Sequence, residues 1–271
     1  MAIIEEIVKA ITEFLKEDPR VVYEKIEHEI FDKGVTVAEA WQRFAPKTPE
    51  EIAEFYKKTD AYLYDLLIDH RGTYRREVRR RILERLELHN CKRVLDYGGG
   101  VGLDSIAMCK VGLAVTFFEL DGVTSQFAKE LFEKEKCNIC VTHNIEEIPS
   151  NFFDSVICIE VLEHVRDPVR VIQDIYRCLR MGGIALITES FEQTNDMYRS
   201  HLSTNKRFVG KIFKMMERQG FALTARWPDS KPLEFTKMNP GMRYRYLHWK
   251  RRGALLSELL HKGLKRFSQI T

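Results

Sequence analysis

No apolar run in this sequence approaches the roughly 18 residues that a membrane-spanning helix needs. The longest, Val111–Phe118 and Val156–Leu162, are short and interrupted. The N-terminus reads Met-Ala-Ile-Ile-Glu-Glu, with no basic leader and no cleavage pattern, so a soluble, cytoplasmic protein is expected. With only 8 Pro and 15 Gly in 271 residues, linker-like and collagen-like chains are excluded, and 44% hydrophobic content is too high for disorder. The six cysteines (Cys91, Cys109, Cys137, Cys140, Cys158 and Cys178) follow no framework spacing and sit in apolar stretches, as reduced thiols do. Cys137-Asn-Ile-Cys140 with His143 suggests zinc, but no second Cys or His pair completes four ligands, so a buried strand is expected there.

A net positive charge is also missing from most of the chain. Eight Lys and Arg residues face only Glu258 between Gly241 and Thr271, so that tail carries +7 and the other 240 residues carry −4. A mildly acidic body does not suit a protein that wraps nucleic acid along a whole face.

Residues 1–89 read as a helical cap. Thr36-Val-Ala-Glu39 has the form of a capping box, after a Gly34 that can close the preceding helix. Thr48-Pro49-Glu50-Glu51 is a stronger one, with proline at the first helical position. The segment it opens sets Ile52, Phe55, Tyr56, Leu63, Leu66 and Leu67 on one stripe. Thr73–His89 carries Val78, Ile82 and Leu86 against Arg75, Arg76, Arg79 and Arg80, which read as a solvated face.

From residue 90 to 240 strand and helix alternate. Strands are expected at Arg93–Tyr97, Ala114–Leu120, Asn138–Thr142, Asp154–Glu160, Ile184–Thr188 and Phe221–Arg226. Helices are expected at Leu103–Lys110, Thr124–Lys134, Pro168–Arg180 (ended by Gly182-Gly183) and Lys206–Gln219 (ended by Gly220). This order implies an α/β fold with a mostly parallel, doubly wound sheet and ligands at the carboxyl ends of its strands.

The stretch Val94-Leu95-Asp96-Tyr97-Gly98-Gly99-Gly100-Val101-Gly102 runs a strand into a glycine turn where backbone can lie against a ligand. The dinucleotide fingerprint is broken by Leu103, and a phosphate-binding P-loop by Leu103-Asp104 in place of Lys-Ser/Thr. Glu119 ends the next strand 21 residues after Gly98, where a carboxylate can accept both hydroxyls of a ribose.

These residues resemble the class I S-adenosylmethionine-dependent methyltransferases over roughly 90–226, with core motifs similar to those of the quinone-pathway O-methyltransferases. The resemblance implies a Rossmann-like seven-stranded sheet and S-adenosyl-L-methionine as cofactor. It implies that Asp96, Gly98, Gly100, Gly102, Glu119, Asn144, Ile145 and Glu160 bind that donor. Asn144 departs from the usual Asp of the adenine segment, but its carbonyl oxygen can still accept from the adenine amino group. Phe153-Asp154 through Glu163-His164, then Asp167-Pro168 and Gly182-Gly183, follow the family's later motifs. In quinone-pathway enzymes that share Glu160-Val-Leu-Glu163-His164, the three residues are linked to a divalent metal; the pattern also recurs without one, and no metal is expected here.

His164 is the first candidate for a catalytic base, and His201, in the long connection after the fifth strand, is the second. Phe55, Tyr56, Tyr62, Tyr64 and His70 are candidates to line the acceptor pocket, against the alternative that they form core. The expected partner is a small-molecule acceptor, methylated at O, N or C and of lipid- or quinone-like character. An RNA methyltransferase and a non-catalytic nucleoside-binding scaffold are the alternatives; no RNA-binding module is recognisable. The tail, 241–271, reads as a basic extension of the same domain. Leu256, Leu259, Leu260, Leu264 and Phe267 share one face of it, which leaves open a helix docked on its own domain, on a second subunit in a homodimer, or on a membrane surface.

Overall fold

The computed structural model describes residues 2–194, 198–227, 229 and 231–239; the tail and the readings placed on it lie outside the described residues. Helices α1 (Ala2–Leu15), α2 (Pro19–Phe31), α3 (Val35–Phe44), α4 (Pro49–Lys58), α5 (Ala61–Asp69) and α6 (Thr73–Leu88) precede the sheet. Then come β1 (Arg93–Tyr97), α7 (Leu103–Lys110), β2 (Ala114–Phe118), α8 (Val123–Lys134), β3 (Cys140–Thr142), β4 (Phe153–Cys158), α9 (Pro168–Cys178), β5 (Leu179–Ile187), α10 (Ile212–Gln219), β6 (Phe221–Ala225) and β7 (Leu233–Lys237).

The seven strands lie in the order β3-β2-β1-β4-β5-β7-β6. Neighbours from β3 through β5 are parallel, and β7 runs antiparallel between β5 and β6. Strand order reverses between β1 and β4, which fixes the ligand crevice at their carboxyl ends. Alternation along the strands splits the core. Val94, Ile157 and Leu186 meet Val78, Ile82 and Leu86 of α6 on one face. Leu95, Val156 and Ala185 meet Ile172 and Ile175 of α9 and Met216 of α10 on the other. Helix α6 thus belongs to the sheet's own packing, whereas α1, α2 and α5 form a cluster around Ile11, Ile26 and Leu63 that sits on Val101 and on Phe127 of α8.

Several local expectations are corrected. Thr36 does not cap α3. That helix starts at Val35 behind Gly34 (φ +83°), and the buried carboxylate of Glu29 takes the capping role, accepting from Gly34 N, from Thr36 N at 3.1 Å and from Thr36 Oγ1 at 2.6 Å. Thr48 does form its capping box with Glu51. The stripe that follows is broken at Thr59-Asp60 into α4 and α5. Helix α9 stops at Cys178, and Gly182-Gly183 lie inside β5; a Cβ on Gly183 would come within 2.9 Å of Asp154 O, so glycine serves strand approach there. The helix expected over Lys206–Gln219 is a short 3-10 turn, Ser203–Phe208, then α10. Cys91, Cys158 and Cys178 are buried, but Cys140 is exposed on the edge strand β3. Among the described residues, no helix is long and apolar enough to cross a membrane.

Candidate active site

The glycine turn leaves β1 at the switch point. Gly98 and Gly99 N–H both donate to Phe118 O, at 2.8 and 3.3 Å, which pulls the turn beside the end of β2. Gly98, Gly100 and Gly102 have φ of +71°, +55° and +77°, the left-handed region that glycine reaches without strain. Their bareness also serves packing: a Cβ on Gly98 would meet Val161 at 2.6 Å, and one on Gly102 would meet Phe132 at 2.5 Å. Gly100 faces the cap, with Leu66 Cδ1 2.9 Å from where its Cβ would stand.

Glu119 follows β2 and clasps the turn. Its Oε2 accepts from Gly100 N at 2.9 Å and its Oε1 from Leu120 N at 2.8 Å. Burial raises its pKa against those two hydrogen bonds. Each carboxylate oxygen keeps a lone pair, so the ribose-binding role stays open to it. Asp96 is buried, accepts from Ser105 Oγ at 2.5 Å, and is pushed up to about 7 by burial and by Asp104. Asn144 is exposed and caps the 3-10 turn Ile145–Glu147, its Oδ1 accepting from Glu146 N at 3.1 Å; Ile145 is half-buried beside it.

Sequence reading missed two arginines. Arg75 is only 6% exposed, and Arg79 is part-buried; Arg80 is exposed as expected, paired with Glu77 and Glu84. Arg75 Nη2 and Arg79 Nε both reach the buried carboxylate of Asp104 in the first turn of α7, the latter at 2.6 Å. Arg75 Nη1 is buried with no partner. The signal was present: Arg75 precedes Val78 by three residues and Ile82 by seven, on the apolar stripe of α6. His70 is buried and joins this network through Arg79, and burial with Arg75 lowers it to about 3. Phe55 and Tyr64 are core.

The other end of the crevice lies past β4. Glu160 has φ +53°, its N–H donates to Thr188 Oγ1 at 2.8 Å, and its carboxylate accepts from Ser190 Oγ at 2.5 Å and Lys231 Nζ at 3.0 Å. Burial works to raise Glu160, but Lys231 outweighs it and holds the group at about 2. Glu163 is fully buried with its carboxyl against that of Glu160; burial and Glu160 push it well above the carboxylate range, so that it donates its proton to the Glu160 carboxylate. His164 Nδ1 lies 3.3 Å from Ser200 O and 3.2 Å from Tyr56 Oη, and Tyr56 Oη itself donates to Ser200 O at 2.9 Å. A carbonyl only accepts, so Nδ1 carries the proton and Nε2 keeps its lone pair. Burial and His201 depress His164 to about 3.

His201 stands edge-on to His164, ring centroids 4.6 Å apart, and burial lowers it too. Tyr56 and Tyr62 stack at 5.7 Å and present their edges to His164. The structure therefore brings together His164, His201, Tyr56 and Tyr62 at one end. Asp96, the glycine turn and Glu119 gather at the other, with the Glu160 backbone between. The Glu-Glu-His set of the quinone-pathway pattern does not fit a metal here, because the Glu160 carboxylate is committed to Lys231 and Ser190.

The family described as the methyltransferase domain matches residues 70–227, more than half of the chain. A ubiquinone biosynthesis O-methyltransferase of Coxiella burnetii is 34% identical over 116 residues, 42% of this chain and 48% of that protein. The enzyme of the same name from Pseudomonas entomophila is 38% identical over 98 residues, 34% of this chain and 41% of that protein. The chain thus spans about half the length, or less, of the curated relatives it matches. A Methanococcus maripaludis structure, described as a candidate S-adenosyl-L-methionine-dependent methyltransferase, shares the fold with TM-score 0.50 and 15% identity, over 63% of this chain and 90% of that one. With the matched span enclosing the glycine turn, Glu119 and the Glu163-His164 pair, the chain belongs to the methyltransferase domain family, of the class I S-adenosylmethionine-dependent type.

Proposed function

We propose that this chain transfers the methyl group of S-adenosylmethionine to an oxygen of a small, quinone-like aromatic metabolite held between the cap and the end of β4. The observation that carries the reading is the buried, unpartnered Nη1 of Arg75, whose guanidinium is tied to Asp104 two residues beyond the glycine turn that Glu119 clasps. A guanidinium N–H without a partner is costly unless an anion completes it, and the donor's carboxylate is such an anion. Arg75 would hold that carboxylate, Asp96 the ammonium, Glu119 the ribose hydroxyls, and Asn144 with Ile145 the adenine. The bound donor supplies a methyl on a sulfonium, already an excellent leaving group.

What the protein must add is alignment and exclusion of water. The α4–α5 hairpin provides exclusion: Leu66 lies over Gly100, and the Lys57 backbone lies so near Gly122 that a Cβ there would come within 2.4 Å of its carbonyl oxygen. Tyr56 and Tyr62 offer flat apolar walls to an aromatic acceptor. As the acceptor oxygen gains a methyl group its proton becomes strongly acidic, so even a low-pKa imidazole can take it; His164 Nε2 is the first candidate and His201 the second. The two relatives named for ubiquinone biosynthesis support an O-methylation reading. Against RNA, two of the six arginines on α6 are turned inward to Asp104.

The test is incubation of the full chain with methyl-labelled donor and a metabolite extract, followed by identification of the labelled product. Label in a phenolic ether is expected. Label confined to RNA, or donor binding with no labelled product, would overturn the reading.

A further inference from the structure

We propose that Lys231 is a positioning residue for methyl transfer, acting through Glu160 to hold the peptide past β4 against the sulfonium methyl of the donor. This role presupposes the methyl-transfer reading. It falls to a residue of the β6–β7 connection, 71 positions beyond the one it acts on.

Glu160 is held in a conformation it would not adopt unaided. Its φ of +53° is left-handed, and a residue with a Cβ stays there only where its surroundings over-determine it. Lys16, Ala45, Asn90 and Lys136 share that region, but each follows a helix, where it is an ordinary cap. Glu160 instead follows a strand, at the switch point of the sheet. Four groups fix it. Thr188 Oγ1 accepts from its N–H at 2.8 Å, and its carboxylate accepts from Ser190 Oγ at 2.5 Å, from Lys231 Nζ at 3.0 Å and from the Glu163 carboxyl. Lys231 Nζ also donates to Ser190 Oγ at 3.0 Å, so one ammonium grips both the carboxylate and the hydroxyl that holds it.

The residue after Glu160 stands against the glycine turn: a Cβ on Gly98 would lie 2.6 Å from Val161 Cγ2. A shift at Glu160 is therefore passed to the backbone on which the donor would rest.

Lys231 is not what anchors its own segment. Arg81 of α6 donates to the two carboxylate oxygens of Asp229 at 2.6 and 2.7 Å and to Lys231 O at 2.6 Å, and β7 pairs with β5 from Leu233 onward. The connection is tied down on α6 and along the sheet without the ammonium. The Lys231–Glu160 pair is part-buried, with side chains 22% and 32% exposed, and a pair that has given up hydration on both sides contributes little net stability. What it provides is geometry.

The donor's chemistry makes that geometry measurable. The methyl hydrogens of a sulfonium carry positive charge and make C–H···O contacts with nearby oxygen atoms. S-adenosylhomocysteine lacks the methyl and the charge and is otherwise the same ligand. Loosening Glu160 should therefore weaken S-adenosylmethionine more than S-adenosylhomocysteine. Merely deleting a neighbouring positive charge works in the opposite direction, favouring the cationic ligand, so the sign of the effect separates positioning from simple electrostatics.

The experiment titrates the full chain calorimetrically with both ligands and records the resonance of bound donor labelled with carbon-13 at the S-methyl group. Lys231→Met is expected to weaken S-adenosylmethionine by roughly twofold to fivefold more than S-adenosylhomocysteine. The bound methyl resonance should move at least halfway back to its free position. Lys231→Arg, which can still donate to both partners, should restore the affinity ratio. Where circular dichroism shows that Lys231→Met does not fold, Arg81→Gln decides the matter: it loosens the connection from outside the crevice and should shift the ratio in the same direction. Equal losses for the two ligands in the folded variant, unchanged affinities for both, or a relative gain for S-adenosylmethionine would overturn the proposal. Wild-type chain that binds neither ligand would instead remove the methyl-transfer reading, and this role with it.

Discussion

Replacing Glu119 with Gln keeps the size of the side chain and changes one acceptor oxygen into a donor. In the structure both oxygens are used, one by Gly100 N–H at 2.9 Å and the other by Leu120 N–H at 2.8 Å. An amide nitrogen must then face one of those two N–H groups, and it can accept from neither the backbone nor a ribose hydroxyl. The lost hydroxyl contact is a hydrogen bond to a charged group, worth roughly 1.5–3 kcal/mol. At about 1.4 kcal/mol per decade, donor affinity should fall by roughly tenfold to a hundredfold. Isothermal titration with S-adenosylmethionine and S-adenosylhomocysteine is the assay. Both ligands carry the same ribose, so the two losses should match within about twofold. An analogue lacking the 2′-hydroxyl should lose little more on going from wild type to Glu119→Gln, because the contact is already gone. A folded variant that binds both ligands as tightly as wild type would remove Glu119 from the donor site and, with it, the placement of the nucleoside across the end of β2.

Arg75→Met should weaken S-adenosylhomocysteine at least tenfold while leaving 5′-methylthioadenosine, which has no carboxylate, within about threefold; equal losses in titrations of the two would refute the carboxylate role. The ligand-free chain should lose stability to urea between about pH 4 and 8. Asp96, at about 7, and Asp65, raised to about 8 by burial and by Glu29, are carboxyls with elevated folded-state values. Stability from such groups is present at low pH and disappears as pH climbs through the folded value. Asp65→Asn should flatten that slope, and an unchanged slope would show that Asp65 does not contribute to it. Thr48→Ala removes a formed capping box and should cost about 1 kcal/mol in urea unfolding with donor affinity intact; no change in midpoint would mean that α4 is held by its packing alone.

The stretch from Arg93 to Lys110 was legible because everything that shapes it is local: a short apolar strand, glycines at positions of positive φ, and a helix start. Thr48-Pro49 was legible for the same reason. Thr36 was misread because the group that caps α3 comes from Glu29, in the helix before, and no spacing rule within α3 reports it. Gly182-Gly183 looked like a helix stop because glycine marks both stops and close strand approaches, and only the pairing of β4 with β5 distinguishes them. At the site, Asp96 and Glu119 stood out by their positions at strand ends, and His164 by the Glu160-Val-Leu-Glu163-His164 pattern. Lys231 did not, since its meeting with Glu160 joins residues 71 apart in sequence. Glu163 was visible as part of a motif, but only its burial against Glu160 shows that its carboxyl is pushed toward the protonated form.

The α4–α5 hairpin touches both ends of the crevice: Leu66 lies over Gly100, and Tyr56 reaches His164 and Ser200. One lever therefore roofs two chambers. A substitution anywhere in that hairpin is therefore felt in both chambers together, and neither can be reshaped from the cap without disturbing the other.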